Sequence, residues 1–417
     1  MNLEEWKEQQ KEKSYKQYLH FDVPCRFSDK IFNYISNPRN ICRHGFYPFL
    51  AYTKQSIKYS RLNSKKSTKE NWKKKKIREI RYAAHIDSWI YRYYSFLLNN
   101  QYNQYMKNQQ LDEVAIAYRT NKAGKSNIDY SAKAFEFIKE QSECYVIIGD
   151  FKDFFTNIDH QYLKKMMERV LQCTRLPDDY YKIFKSQIVY SYVLLEDIKR
   201  IKVLHGENSK ETRNTILKKK QFRQLVRGEY KKYGIYLHKN VEYQNEAYGI
   251  PQGSPLSGIL ANIYMIEFDC QIKQLVLAYK GKYYRYSDDF IIILPGISEN
   301  VMRKVADTLH NLFNENSNVT GRQLVILQKI KTKIFQKEGK NIFLLNTESF
   351  EKEKQHAFIK FLGFSYDGSK IFIANSTIGR FYGKMYRKIR TIKRQKGYVK
   401  SRKNGNLVKV SCTNLYQ

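Results

Sequence analysis

Two aspartate sites stand out by position. Asp150 ends the apolar run Cys144-Tyr-Val-Ile-Ile-Gly149, a stretch of strand length. Asp288-Asp289 lies between two further strand-like runs, Tyr283–Ser287 and Phe290–Leu294, as the predicted two-residue tip of a tight hairpin. Carboxylates crowded at the end of a core sheet repel one another, and a bound cation offsets that repulsion. Oxygen donors without His or Cys favour Mg²⁺ or Mn²⁺ over zinc. Two such ions about 3.5–4 Å apart lower the pKa of an attacking hydroxyl and stabilise a leaving oxygen, the requirements of phosphoryl transfer. Taken alone, each feature reads as a polar turn or a strand end. Together they gain weight from Gly249-Ile-Pro-Gln-Gly-Ser254 between them, which opens a helix predicted over Pro255–Val276, because helix N-termini and backbone donors bind phosphates.

The elements that must position these groups follow from pattern. Residues 1–60 are aromatic, basic and irregular, and a basic run over Lys65–Lys76 leads into a helical pattern over Ile77–Tyr105. Val114–Arg119 reads as a strand, Thr120–Gly124 as a turn, and Ser131 to about Glu140 as a helix. Residues 161–195 and 299–316 are helical. Residues 198–240 hold 13 Lys or Arg with weak periodicity and read as a surface insertion. Leu324–Leu327 and Phe358–Phe364 are strand-like, with Asp367-Gly368 a turn and Ile371–Ile373 a partner strand. Residues 379–396 form a strongly basic helix.

The chain has 417 residues, 75 Lys+Arg and 40 Asp+Glu, a formal charge of +35. At 42% hydrophobic and 15% aromatic it can bury a core, which excludes a disordered tail. An excess charge of this size predicts a polyanionic partner, nucleic acid first and a membrane surface second. No apolar run approaches the ~18–20 residues of a membrane span, and Met1–Lys16 lacks the apolar stretch of a signal peptide. The six cysteines are scattered without a CxxC pair, which gives no zinc pattern and no disulfide framework. Reduced thiols in a cytoplasmic protein are expected.

The motifs themselves carry a resemblance. Asp150-Phe-Lys-Asp-Phe-Phe155-Thr-Asn-Ile-Asp159, Gly249-Ile-Pro-Gln252-Gly-Ser-Pro-Leu-Ser257 and Tyr286-Ser-Asp288-Asp289 resemble three successive reverse transcriptase motifs, in order. Lys331-Thr332 resembles the fourth palm motif, Phe361-Leu-Gly-Phe364 the primer-grip hairpin, and Val114–Lys125 the fingers strands that hold the incoming triphosphate. The resemblance implies that Asp150, Asp288 and Asp289 hold two Mg²⁺ ions (Mn²⁺ as a substitute), with the backbone carbonyl of Phe151 completing one shell. It makes Phe155 the steric gate against a ribose 2′-hydroxyl, and Gln252 a residue lining the nucleotide sugar and base. Arg119 and Lys125 become triphosphate clamps, and Lys331 the donor of a proton to the leaving pyrophosphate.

What the resemblance implies for architecture is an α+β right-hand polymerase. It comprises an N-terminal helical extension over 1–110 that binds RNA and fingers over 111–143. A ferredoxin-like palm over 144–365 follows, with the basic insertion at about 198–240, then a short helical, basic thumb over 366–417. The stretch Ala117–Tyr130 resembles the bacterial abortive-infection and defence-associated groups, and Tyr18-Leu-His-Phe-Asp22 is similar to the type-2 defence-associated reverse transcriptases. This implies RNA-directed synthesis of cDNA from dNTPs on a structured non-coding RNA, in antiphage defence and without a membrane. A retron or group II intron-like enzyme, an RNA-templated RNA polymerase and a catalytically silent RNA-binding scaffold are the rivals; Phe155 argues against the RNA polymerase and the complete set of carboxylates against the scaffold. Residues 365–417 leave no room for the long helical extension of untemplated, protein-primed members.

Overall fold

A computed structural model describes residues 2–12, 18–59, 73–122, 124–207, 215–240, 248–314, 321–328, 332–394, 398–400 and 407–409. The chain opens with three short helices, α1 (Leu3–Glu12), α2 (Asp29–Ile35) and α3 (Pro38–Arg43). A long antiparallel hairpin follows, β1 (Phe49–Tyr59) and β2 (Lys73–Tyr82), then α4 (His85–Asn108). The predicted helix over Ile77–Tyr105 is thus split. Residues 77–82 pair with β1, and the helix starts only after Ala83-Ala84. Ala84 offers no capping side chain. Asp22 does so from outside the helix, its two carboxylate oxygens accepting from the backbone N–H of His85 (3.0 Å) and Ile86 (2.9 Å).

The Tyr18–Asp22 stretch therefore wraps the start of α4. The Tyr18 hydroxyl donates to the Ala83 carbonyl at 3.0 Å, and His20, fully buried, lies 3.3 Å from the Tyr82 carbonyl. Burial pushes the His20 pKa down from 6.5 to about 3. Below pH 6.5 the unfolded chain binds a proton that the folded chain refuses. Stability is then full above that pH and falls toward pH 3 by about 1.4 kcal/mol per pH unit for this group. Urea unfolding at neutral and mildly acidic pH should show the loss, and His20→Gln should make the acid limb shallower.

Next come α5 (Asn127–Glu140), β3 (Glu143–Asp150), α6 (Phe154–Asn157), α7 (His160–Val170), α8 (Asp178–Ile188), β4 (Ser191–Leu194), α9 (Leu195–Leu204), α10 (Lys219–Val226) and β5 (His238–Lys239). Val114–Arg119 is not a strand. Its one ladder contact is the bridge between Ala115 and Arg285, and Tyr118 takes a positive φ of 60° that breaks extended structure. The insertion has order of its own. Strands β4 and β5 extend the β1–β2 hairpin into a four-stranded sheet, and α9 and α10 cover it with Ile198, Ile201 and Leu225 around Leu50 and Val193.

The remaining elements are α11 (Ser257–Tyr264), α12 (Ile266–Leu277), β6 (Lys282–Tyr286), β7 (Asp289–Pro295), α13 (Glu299–Phe313), β8 (Lys333–Glu338), β9 (Asn341–Leu345), β10 (Lys352–Lys354), β11 (Ile359–Phe361), β12 (Phe364–Tyr366), β13 (Ile371–Ile373), α14 (Asn375–Arg394), β14 (Tyr398–Lys400) and β15 (Leu407–Lys409). The helix expected over Pro255–Val276 breaks at Met265. Leu324–Leu327 contributes only a bridge from Leu327 to Phe151. The strand expected over Phe358–Phe364 folds back at Leu362-Gly363, both with positive φ, the pattern of a type I′ hairpin. Helix α14 has no buried residue. The five described cysteines are free thiols, and no described helix is long and apolar enough to cross a membrane.

The central sheet has the order β10-β9-β8-β3-β7-β6, with every neighbouring pair antiparallel. Strand β3 is covered on both faces: Tyr145 and Ile147 enter one core, Cys144 and Val146 another. The first core also takes Trp6, Phe27 and Ile41, so these N-terminal helices and Phe27 between them are packed with the central sheet.

Candidate active site

The site begins with register. Asp150, the last residue of β3, is the cross-strand partner of Asp289, the first of β7. The next backbone bond, from Phe151 N–H to the Asp288 carbonyl at 3.0 Å, makes Asp150–Asp289 a non-hydrogen-bonded pair. In such pairs the Cα atoms are about 4.5 Å apart and the side chains leave from one face. Strand alternation puts both carboxylates on the face of Val146 and Ile291, at its open end. The opposite face is closed by rings: Phe151 lies 5.3 Å from Phe290 and 5.5 Å from Phe313. Gly149 is required there, since a Cβ would fall 2.2 Å from the Phe290 ring.

The tip is one residue earlier than predicted. Strand β6 ends at Tyr286, which pairs with Asp289, and the two-residue turn is Ser287-Asp288. Ser287 has φ 61° and Asp288 is not among the positive-φ residues, the signature of a type II′ hairpin. What holds a serine in this conformation is Arg285, a fully buried side chain. It is bidentate to Asp269 (2.8 and 2.6 Å) and donates at 3.1 Å to the Ser287 carbonyl and at 3.2 Å to Asn262. Tyr283 donates to the same aspartate at 2.9 Å.

Asp150 and Asp288 are half-buried, and Asp289 is exposed. Among the described residues no group of three or more His, Cys, Asp or Glu side chains is gathered closely enough to hold a metal ion by itself. What the backbone brings together is an all-oxygen pair, Asp150 and Asp289 as cross-strand partners, with Asp288 the preceding residue in the turn. That chemistry suits a hard divalent ion whose remaining ligands are water or phosphate. Among the described residues no backbone N–H donates to the Phe151 carbonyl; toward Leu327 the bonds run from Lys152 N–H to the Ile326 carbonyl and from Gln328 N–H to the Asp150 carbonyl.

A cavity of about 590 Å³ is lined by Phe155, Gln252, Arg119, Lys125, Tyr118 and Tyr286, among others. Phe155 is half-buried on α6, and its carbonyl accepts from the Ile250 N–H at 2.8 Å, which ties the Gly249–Ser254 loop to α6. The Gln252 carbonyl accepts from the Arg81 N–H at 2.9 Å. Gly253, at φ 119°, lets β2 come so close that a Cβ would stand 2.6 Å from the Arg81 carbonyl. Strand β2 therefore packs directly behind the Gly249–Ser254 loop, which the helical reading of that segment concealed.

The reading of Arg119 is corrected. Its guanidinium is fully buried and bound to Asn103 at 2.8 Å, to the Asp112 carbonyl at 2.6 Å and side chain at 2.5 Å, and to the Ala115 carbonyl at 3.1 Å. Burial alone would raise the Asp112 pKa, but Lys122 and Arg119 outweigh it and hold it at about 2. Four of its five N–H donors are engaged and the side chain is fully buried, so its charge is committed to this network rather than to a triphosphate. Lys125 is exposed on the cavity wall and keeps its place as a candidate. Lys331 lies outside the described residues.

A family model described as reverse transcriptase (RNA-dependent DNA polymerase) matches residues 72–366. The chain belongs to that family, whose activity is RNA-directed DNA synthesis and whose polymerases use divalent metal ions. The match begins at the edge of β2, within the segment expected to be an N-terminal extension. Among solved structures, apo telomerase from Candida tropicalis truncated from its C-terminal domain aligns at 13% identity and TM-score 0.45, covering 72% of this chain and 53% of that one. Apo telomerase from Candida tropicalis aligns at 13% and 0.44, over 87% and 56%. Telomerase from Candida albicans in complex with a TWJ fragment of telomeric RNA aligns at 14% and 0.41, over 86% and 53%. The chain thus spans about half the length of these structures. Comparison with curated proteins gives no match.

Proposed function

We propose that this chain copies an associated, structured non-coding RNA into cDNA with Mg²⁺ at Asp150, Asp288 and Asp289, in the cytoplasm and in antiphage defence. The observation that carries the polymerase chemistry is the Asp150–Asp289 register, which sets two carboxylates at the mouth of one face beside the Ser287-Asp288 turn. Bound divalent ions would supply the charge that lowers the pKa of a primer 3′-hydroxyl and stabilises departing pyrophosphate. The chain's own residues do the positioning. Phe155 stands where a 2′-hydroxyl would be crowded, Gln252 lines the sugar and base, and Lys125 meets the triphosphate. Lys331 keeps the role of proton donor to the leaving group that the resemblance implies.

The division into fingers, palm and a short thumb built on α14 belongs to the same proposal, with the β1–β2 hairpin added to the fingers. Support for the RNA partner is the charge of +35. Support for defence is the likeness of Ala117–Tyr130 and Tyr18–Asp22 to that group, and sequencing the nucleic acid that copurifies would test it. Purified chain with Mg²⁺, a primed RNA template and dNTPs should extend the primer. Phe155→Ala should raise rNTP relative to dNTP incorporation by about tenfold to a hundredfold, the range over which a pocket wall discriminates. An unchanged ratio would remove the gate from Phe155.

A further inference from the structure

One surface lies outside the site and is not explained by it. Between residues 215 and 240 the chain carries eight Lys or Arg and a single Glu. Lys219, Lys220, Arg223, Lys231 and Lys232 are all exposed. Beside them stand two exposed rings, Tyr233 (44%) and Tyr236 (46%). The Lys232 ammonium lies 5.1 Å from the Tyr233 ring centroid, and Arg200 donates to the Tyr233 carbonyl at 2.5 Å and to the Gly234 carbonyl at 3.4 Å, which holds that loop on α9.

From Tyr236 a series of flat groups runs inward along the β4–β5 edge. Tyr236 lies 6.2 Å from His238, and His238 stacks on Tyr192 at 5.0 Å and 20°. Tyr192 in turn carries the Arg81 guanidinium 4.7 Å above its ring. Register accounts for the alignment, since Tyr192 and His238 are direct cross-strand partners and so share a face. Arg81 is itself hydrogen-bonded through its backbone to Gln252 on the cavity wall. It is more than nine-tenths buried, and its Nε has no hydrogen-bond partner among the described residues. A series of stackable planes flanked by cations, ending beside the loop that carries Gln252, is what a single strand with stacked bases and a phosphate backbone needs.

We infer that the β4–β5 edge and the basic insertion form a track for single-stranded template RNA leading to the cavity at Gln252. The inference rests on the polymerase reading and adds to it the surface that guides the uncopied template. Tyr236 and His238 stack on bases, and Lys231 and Lys232 meet phosphates.

The test uses the full chain and a fluorescent oligouridylate RNA longer than about 16 nucleotides, the upper site size of one single-strand-binding module. Tyr236→Ala with His238→Ala should weaken binding about tenfold or more, and Tyr236→Phe with His238→Phe should retain it. Lys231→Glu with Lys232→Glu should reduce the slope of log affinity against log salt by about 1.4, near 0.7 per lost phosphate contact. Extension of a primer that leaves only one or two template bases uncopied should match wild type in all three variants. Wild-type affinity and slope in the alanine and glutamate pairs would overturn the track while leaving polymerisation untouched, and equal loss in the alanine and phenylalanine pairs would overturn the stacking. A wild-type chain that binds RNA with these dependencies but extends no primer would instead defeat the polymerase reading and leave the track standing.

Discussion

Replacing Asp288 and Asp289 together with asparagine should abolish dNTP incorporation and leave RNA binding nearly intact. The two side chains stand at a hairpin tip, one half-buried and one exposed, so neither supports the core. Their loss removes charge where divalent ions would be held. At 1.36 kcal/mol per tenfold, several kcal/mol of transition-state stabilisation corresponds to about a thousandfold or more in rate. RNA affinity draws on the Lys and Arg surface and on counterion release, which this change does not touch. Primer extension and RNA binding measured on one preparation separate the two effects. Polymerisation at the wild-type rate would refute the assignment of the tip.

The second large effect is on stability. Asp269 and Arg285 are both fully buried and bind each other through two hydrogen bonds. Asp269→Ala leaves a guanidinium uncompensated in the core and should cost about 3–5 kcal/mol. A lowered denaturant midpoint would report it. The same change frees Arg285 from the geometry in which it donates to the Ser287 carbonyl, so the Ser287-Asp288 turn should loosen as well. Replacing the pair together, Asp269→Leu with Arg285→Met, should recover most of the stability, because both buried charges are then gone. An unchanged midpoint in Asp269→Ala would contradict the network.

What was legible in the sequence is what local pattern encodes. Strand β3 announces itself as a continuous apolar run because both of its faces are covered, and β7 does so for the same reason. The amphipathic spacing of α13 and the exposed basic character of α14 were equally readable. The misses share a cause: the deciding partner is distant in the chain. Strand β2 looks helical by composition and becomes a strand by pairing with β1. Helix α4 begins where Asp22 caps it, 63 residues before His85. Arg119 has the right charge near the right motif, but sequence does not say where a guanidinium points, and here Asp112 and Asn103 hold it inward. The 198–240 block reads as solvated surface because its few apolar residues are spread thinly. They nonetheless close a small core once β1 and β4 lie parallel.

The central claim is that Asp150 and the 287–289 hairpin hold divalent ions in one catalytic centre. Its most direct test is a structure of the chain with primed RNA template, a dNTP and Mn²⁺, with the metals located by anomalous scattering. Peaks in contact with the carboxylates of both Asp150 and Asp288 are the expected result. Peaks that touch only one of the two strands, or metal bound elsewhere while the primer is still extended, would contradict it.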